Sequence, residues 1–186
     1  MNTIRQRPLR SGLRILAGLI FAASAVPVFA ADTQLVEPKL IVADKSLPKA
    51  QLDAQILAAR RFDTFWNTGD ESYAHAALSP TFFDNTLPPG RPQGVEGVLK
   101  ASKAFREAVP DLRAEVVQMI VAGDRVSAFL RFTGHFTGKL GDKQGQGQPI
   151  DFIAMDIYRI EDGRVAEDWH LEDNLTFLQK AGIVAK

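Results

Sequence analysis

A carboxylate and an imidazole set into one apolar hairpin offer the most chemistry in this chain. Asp156 interrupts the apolar run 150–160, and His170 follows Trp169 near the end of the next run. An imidazole with an ordinary pKa of about 6.5 accepts and returns a proton near neutrality. A carboxylate beside it can hold one ring nitrogen and fix the tautomer, as in a catalytic triad. His170 is therefore the candidate general base, and Asp156 the acid that orients it. No serine or cysteine is placed to act as a nucleophile, so the chemistry implied is proton transfer. The competing use of the same two residues is a buried pair that only stabilises the hairpin.

Four further residues are candidates for a substrate pocket. Tyr158 offers a hydroxyl to a developing enolate. Trp66 offers an aromatic wall, with plain core packing as its competing role. Asp84 follows Phe82-Phe83 and precedes a proline-rich loop, which suits either a pocket entrance or a turn. Asp173 is either a second acid at the pocket mouth or a helix N-cap. A metal set of His135, His170 and Asp173 is disfavoured, because the chain has three histidines and no close pair of them. No metal and no cofactor are expected.

Which way Asp156 and His170 point depends on the hairpin register. Residues 150–160 alternate as a strand does, with both faces apolar in the middle, so both faces are expected to be covered. A two-residue loop, Asp162-Gly163, pairs Asp156 with Trp169 and sends His170 to the other face. A three-residue loop, Glu161-Asp162-Gly163, pairs Asp156 with Asp168 and makes His170 a diagonal neighbour on the same face. The three-residue register is preferred. It collects Val165, Trp169 and Leu171 with Ile153, Met155 and Ile157 on one apolar face. The other face then carries Ala154, Asp156, Tyr158, Asp168 and His170.

The elements around the hairpin read as an α+β chain. Residues 1–30 form a secretory leader: Arg5, Arg7, Arg10 and Arg14 precede a short apolar core, and small residues precede Ala31. That core is short for a membrane span, which needs about 20 residues. The expected protein is exported, periplasmic or secreted, and off the membrane once the leader is cut. There is no cysteine, hence no disulfide framework and no lipid-attachment thiol. The full chain balances 22 basic against 22 acidic residues; loss of four arginines leaves 18 against 22. The mature net charge of about −4 argues against a nucleic-acid partner.

Residues 31–48 read as an extended tether with a possible edge strand at Leu40-Ile41-Val42. Residues 49–186 then form one domain. An apolar stripe of Leu52, Ile56, Ala59, Phe62 and Trp66 predicts a helix over 49–67, stopped by Gly69. Asp70 caps a short second helix. A third spans 95–109 and stops at Pro110. Alternation then predicts strands over 112–121 and 125–136, a glycine-rich excursion over 138–149, the hairpin, and a last helix after Asp173. Helices first and long antiparallel strands afterwards imply a strongly curved, mainly antiparallel sheet wrapped around the N-terminal helices, a cone-shaped barrel.

Several short runs add a resemblance. Phe65-Trp66-Asn67-Thr68-Gly69 closes the first helix, Pro110-Asp111-Leu112 opens the sheet, and Gly123-Asp124-Arg125-Val126 turns it. Asp162-Gly163-Arg164 makes the hairpin, and Trp169-His170 precedes the last helix. In order and spacing they resemble the SnoaL-like polyketide cyclase (ester cyclase) family, of the nuclear transport factor two-like superfold, over about residues 56–184. The resemblance implies an apolar pocket that closes a polyketide ring by an intramolecular aldol reaction. An aspartate is the general acid/base there, a histidine lies near it, and no metal or cofactor takes part. It places that aspartate at His170 and that histidine at Asp156, so the two chemical types are exchanged. Many relatives also carry histidine where this chain has Phe136, next to His135.

The expected function is binding of a small, largely apolar carbonyl compound with His/Asp acid–base chemistry: aldol-type cyclisation, isomerisation or dehydration. The alternative is a non-catalytic small-ligand-binding or interaction domain. A hydrolase that activates water through His170 or Asp173 is a third reading. A homodimer through the outer apolar sheet face is also expected.

Overall fold

The computed structural model describes residues 32 and 34–185. The expected leader falls outside the described residues. In chain order the elements are β1 (Ile41–Ala43), α1 (Lys49–Thr68), α2 (Glu71–Ala77), β2 (Leu78–Asp84) and α3 (Val95–Ala108). They continue with β3 (Arg113–Ala122), β4 (Arg125–Phe136), β5 (Lys139–Leu140), β6 (Lys143–Gln144), β7 (Gln148–Glu161), β8 (Arg164–Glu172) and α4 (Asn174–Lys180). Six strands form one sheet in the order β1-β3-β4-β7-β8-β2; β5 and β6 make a separate small hairpin. The sheet is curved and open, and the helices fill its concave side. This is the α+β cone read from the sequence.

Helix α1 is the plug of the cone. Its stripe buries Ala58, Ala59, Phe62 and Phe65 at 1% exposure or less, and burial of that kind stabilises by roughly 1.5–3 kcal/mol per large side chain. The helix stops where Gly69 turns left-handed (φ 77°) and its amide donates to the Phe65 carbonyl. Asp70 then caps α2 by accepting from the Ser72 amide at 2.9 Å. The stretch expected as a tether is extended but tied down. Asp32 makes a two-pronged ion pair with Arg61 of α1, Leu35 is buried, and β1 runs parallel to β3.

The β7–β8 hairpin takes neither of the two registers weighed above. Its loop has two residues, Asp162 (φ 50°) and Gly163 (φ 71°), the left-handed pair that a twisted hairpin needs. Glu161 pairs with Arg164, and a bulge at Ala166 then inserts one extra residue into β8. The extra residue restores the shared face and slides the strands further. Asp156 therefore lies directly opposite His170, not diagonal to it, and Tyr158 lies opposite Asp168. Ala154, Asp156, Tyr158, Asp168 and His170 share the concave face, as the preferred register required. Val165 does not join the outer face. It precedes the bulge, pairs with Ile160 and is fully buried.

The outer face is also not covered, against expectation. Ile153, Met155 and Ile157 are 43–44% exposed and Leu171 is 76% exposed. The described helices pack on the other side, so among the described residues no helix covers this face. Arg125 lies over the Trp169 ring at 5.5 Å.

An added Cβ at Gly163 would meet nothing within 4 Å, so Gly163→Ala tests the backbone alone. A left-handed non-glycine residue costs roughly 1–2 kcal/mol. The variant is expected to lose about that much in urea unfolding, and an unchanged midpoint would contradict the two-residue turn.

Candidate functional site

The concave face opens into a cavity of about 270 Å³ between the sheet, α1, α3 and the proline loop. Its apolar wall includes Phe62 and Trp66 of α1, Phe105 of α3, and Phe132 and Phe152 of the sheet. Phe132 and Phe152 stack at 5.2 Å, and Trp66 meets Phe132 edge-on at 6.4 Å. The polar end is built by Asp84, Asp156, Asp168, His170 and Glu172, with Arg91 and Asn174 also on the wall.

His170 is at the centre of that polar end. Nδ1 lies 2.8 Å from Glu172 Oε1, and Nε2 lies 3.1 Å from both oxygens of Asp84. A neutral imidazole has one N–H and one lone pair, and a lone pair facing a carboxylate is repulsive. Both contacts are hydrogen bonds only if both nitrogens carry hydrogen. Burial pulls the His170 pKa down, but the hydrogen bonds and charges of Glu172 and Asp84 outweigh it and raise it to about 9. Burial pushes Glu172 the other way, yet its bond to His170 holds it below the ordinary range.

The backbone prepares this arrangement. Parallel pairing sets Asp84 of β2 opposite Asp168 of β8. The Gln93 side chain grips Asp84 at both main-chain positions, accepting from its amide at 2.7 Å and donating to its carbonyl at 2.9 Å. Thr86 accepts from the His170 amide and donates to Asp84. Glu172 follows from strand alternation, two residues beyond His170 on the same face.

Asp156 is in a different condition. It is 6% exposed and its Oδ2 accepts from the Tyr158 hydroxyl at 2.9 Å. Burial raises its pKa most. The Tyr158 bond and the His170 cation pull it down, Glu172 and Asp84 push it up, and the result is about 7. Asp168 is raised well above the ordinary range by burial and by the surrounding carboxylates, which favours its protonated form.

These positions correct several expectations. Asp156 does not hold a ring nitrogen of His170, because both nitrogens are taken by Asp84 and Glu172. With both N–H groups engaged and the ring charged, His170 is not a free base at neutral pH. Tyr158 is not on the cavity wall. It is fully buried behind Asp156, where its ring packs edge-on against Phe62 at 5.5 Å. Asp173 caps α4, accepting from the Thr176 amide at 3.0 Å and from its hydroxyl at 2.7 Å; it is not on the wall either. Trp66 and Asp84 do line the cavity. His135 lies away from it, exposed and paired with Asp111. Among the described residues no group of His, Cys, Asp or Glu is arranged to hold a metal ion.

A profile of the SnoaL-like polyketide cyclases matches residues 56–181. The chain belongs to that family. It is similar to the crystal structure of a candidate polyketide cyclase from Bacillus cereus, with 40% identity over 87% of this chain and 100% of that one, at a TM-score of 0.75. TsrD from Streptomyces laurentii is 25% identical over 75% of this chain and 100% of its own, at 0.63. IdmH from Streptomyces antibioticus, a candidate polyketide cyclase, shares the fold at 24% identity, covering 69% of this chain and 98% of its own, at 0.63. No curated protein gives a significant match. Membership in the SnoaL-like family suggests ligand binding or a cyclase-like function.

The raised pKa of Asp156 has a signed consequence for stability. Between its ordinary value of 3.8 and about 7 the folded chain binds more protons than the unfolded one, so this contribution is full below 3.8 and drains away as pH rises through 7. Asn at this position mimics the protonated acid. Asp156→Asn is therefore expected to gain stability over the parent as pH rises, by on the order of 1 kcal/mol or more near pH 8. Thermal melts at about pH 5 and pH 8 check this; a deficit that grows with pH would refute the assignment.

Proposed function

We propose that this SnoaL-like protein binds a small, largely apolar carbonyl compound in the aromatic cavity and removes a proton alpha to the carbonyl. The observation that carries the reading is the pairing of two raised groups on one face: a carboxyl brought up to about 7 directly across from an imidazolium held to about 9. Between those two values the carboxylate is free to take a proton while the imidazolium keeps its own, which divides the acid and base roles. Asp156 is the base. The fixed charge of His170 favours the enolate over the neutral ketone, in surroundings too apolar for water to screen it. Neutral Asp168, on the same wall, has a carboxyl hydrogen to offer the enolate oxygen.

The proton moves from the alpha carbon to Asp156, and the C–H electron pair becomes the enolate. Attack of that carbon on a second carbonyl of the same molecule forms the ring bond, and Asp156 returns the proton to the new alkoxide. Return of the proton to a different carbon gives isomerisation, and loss of the hydroxyl gives dehydration. At about 270 Å³ the cavity lies just below the usual range for ligand sites, about 300–1,000 Å³, which favours a compact substrate.

Deuterium exchange from small apolar 1,3-dicarbonyl compounds, followed by NMR, tests the first step without the natural substrate. The exchange rate is expected to rise with pH through about 7 as Asp156 ionises and to fall through about 9 as His170 loses its proton. Asp156→Asn is expected to lose exchange by about 100-fold or more while still binding the probe. His170→Ala is expected to lose exchange and remain folded. Full exchange in either variant would overturn the role given to that residue, and a retained ligand with no exchange in the parent would replace the enzyme reading with a binding domain.

The leader-like N-terminus and the bare outer sheet face support a second part of the reading: an exported homodimer. Sedimentation of the processed protein, with its N-terminus determined, checks both; an unprocessed chain or a monomer at micromolar concentration counts against it.

A further inference from the structure

Behind Asp156, at the bottom of the cone, the Tyr158 hydroxyl lies 2.9 Å from Asp156 Oδ2 and 2.8 Å from Asp63 Oδ1. A phenol has one hydrogen. It donates to one carboxylate and leaves only lone pairs for the other. Two oxygens at 2.8 Å in a dry interior are held together by a hydrogen, so one of the two carboxyls must supply it. The contact geometry alone thus demands one proton more than the phenol owns.

The surroundings decide which acid carries it. Asp63 belongs to α1, is completely buried, and has one oxygen, Oδ2, with no partner. Asp156 reaches the cavity wall and faces the His170 cation across the strand pair. The negative charge goes to the better-solvated site with the cation beside it. Burial also drives Asp63 well above the ordinary carboxyl range.

We propose that Asp63 is a permanently protonated positioning residue, which donates its carboxyl hydrogen to the Tyr158 oxygen and so commits the only Tyr158 hydrogen to Asp156. This rests on the reading of Asp156 as the base. The relay runs from helix to strand to site: Asp63 to Tyr158 to Asp156. Accepting a hydrogen bond makes the phenol a stronger donor, and a donor on the carboxylate keeps Asp156 ionisable near neutrality. The other groups acting on Asp156 are His170, Glu172 and Asp168 of β8 and Asp84 of β2. Only His170 among them favours the ionised form, so the relay from α1 is the second support that the base has.

Carbon-13 NMR of protein labelled at the aspartate carboxyls tests this without any substrate, with signals assigned through Asp63→Asn and Asp156→Asn. In the parent protein the Asp63 carbon is expected at the shift of a protonated carboxyl, without titrating between about pH 5 and 9. Asn at 63 keeps an N–H donor for the Tyr158 oxygen and adds no charge, so it is expected to leave the Asp156 midpoint within about half a unit. Tyr158→Phe removes the donor and is expected to raise that midpoint by about 1 unit or more. An ionised Asp63 at neutral pH overturns the proposal. So does an Asp156 midpoint that drops by a unit or more in Asp63→Asn, because removal of a nearby negative charge would do that. If the variants fail to fold, through-bond assignment of the parent carboxyl signals decides the matter. If exchange proves independent of Asp156, the functional reading falls while the titration result stands by itself.

Discussion

A cation buried between two carboxylates governs the active end of this molecule. Five acids, Asp63, Asp84, Asp156, Asp168 and Glu172, converge on one apolar cone. They cannot all be charged there, because ionised carboxylates out of water are costly unless paired. His170 hydrogen-bonds both of its direct partners, Asp84 and Glu172, and offsets one of their two charges, at the cost of being unavailable as a free base. Burial favours the protonated forms of Asp63 and Asp168. Asp156 is the one acid close to balance. Every other element near the site serves this distribution of charge. Strand β2 runs parallel to β8 so that Asp84 reaches the ring, and Gln93 and Thr86 hold Asp84 in place.

The aromatic wall and the charge arrangement need each other. Phe62, Trp66, Phe132 and Phe152 exclude water from the face on which Asp156 and His170 sit. Water there would relax both pKa values toward their ordinary ranges and screen the cation. The same helix, α1, supplies wall and relay: Phe62 and Trp66 face the cavity, and Asp63, one position along from Phe62, faces Tyr158. A single rotation of α1 would therefore disturb packing and proton distribution together.

Periodicity was enough to read the cone, because long strands and one amphipathic helix leave regular patterns. Strand β4 has the limits that alternation predicts, Arg125–Phe136. The shared face of Asp156 and His170 was legible as well, since it follows from parity. Their direct opposition was not, because a bulge at Ala166 carries no residue-level signature. Glu172 was within reach of the alternation argument, two residues past His170. Asp63 was signalled by a carboxylate beside Phe62 on the buried side of an amphipathic helix, which a search for an apolar stripe passes over. The Asp84–His170 contact had no local signal: it joins residues 86 apart through parallel strands. Tyr158 was misplaced because alternation gives the face of a side chain and not its depth.

The two borders of the sheet shape how it can meet other chains. One border is β1, only three residues long. The other is β2, which contains Pro80, pairs irregularly with β8 and has its Asp84 peptide groups saturated by Gln93. Neither presents a long row of open amides and carbonyls on which a foreign strand could grow. The sheet is thus closed to lateral extension while its broad convex surface is left bare by the described residues. Association through this sheet is steered toward stacking, which ends at two layers, and away from ribbon growth, which has no end.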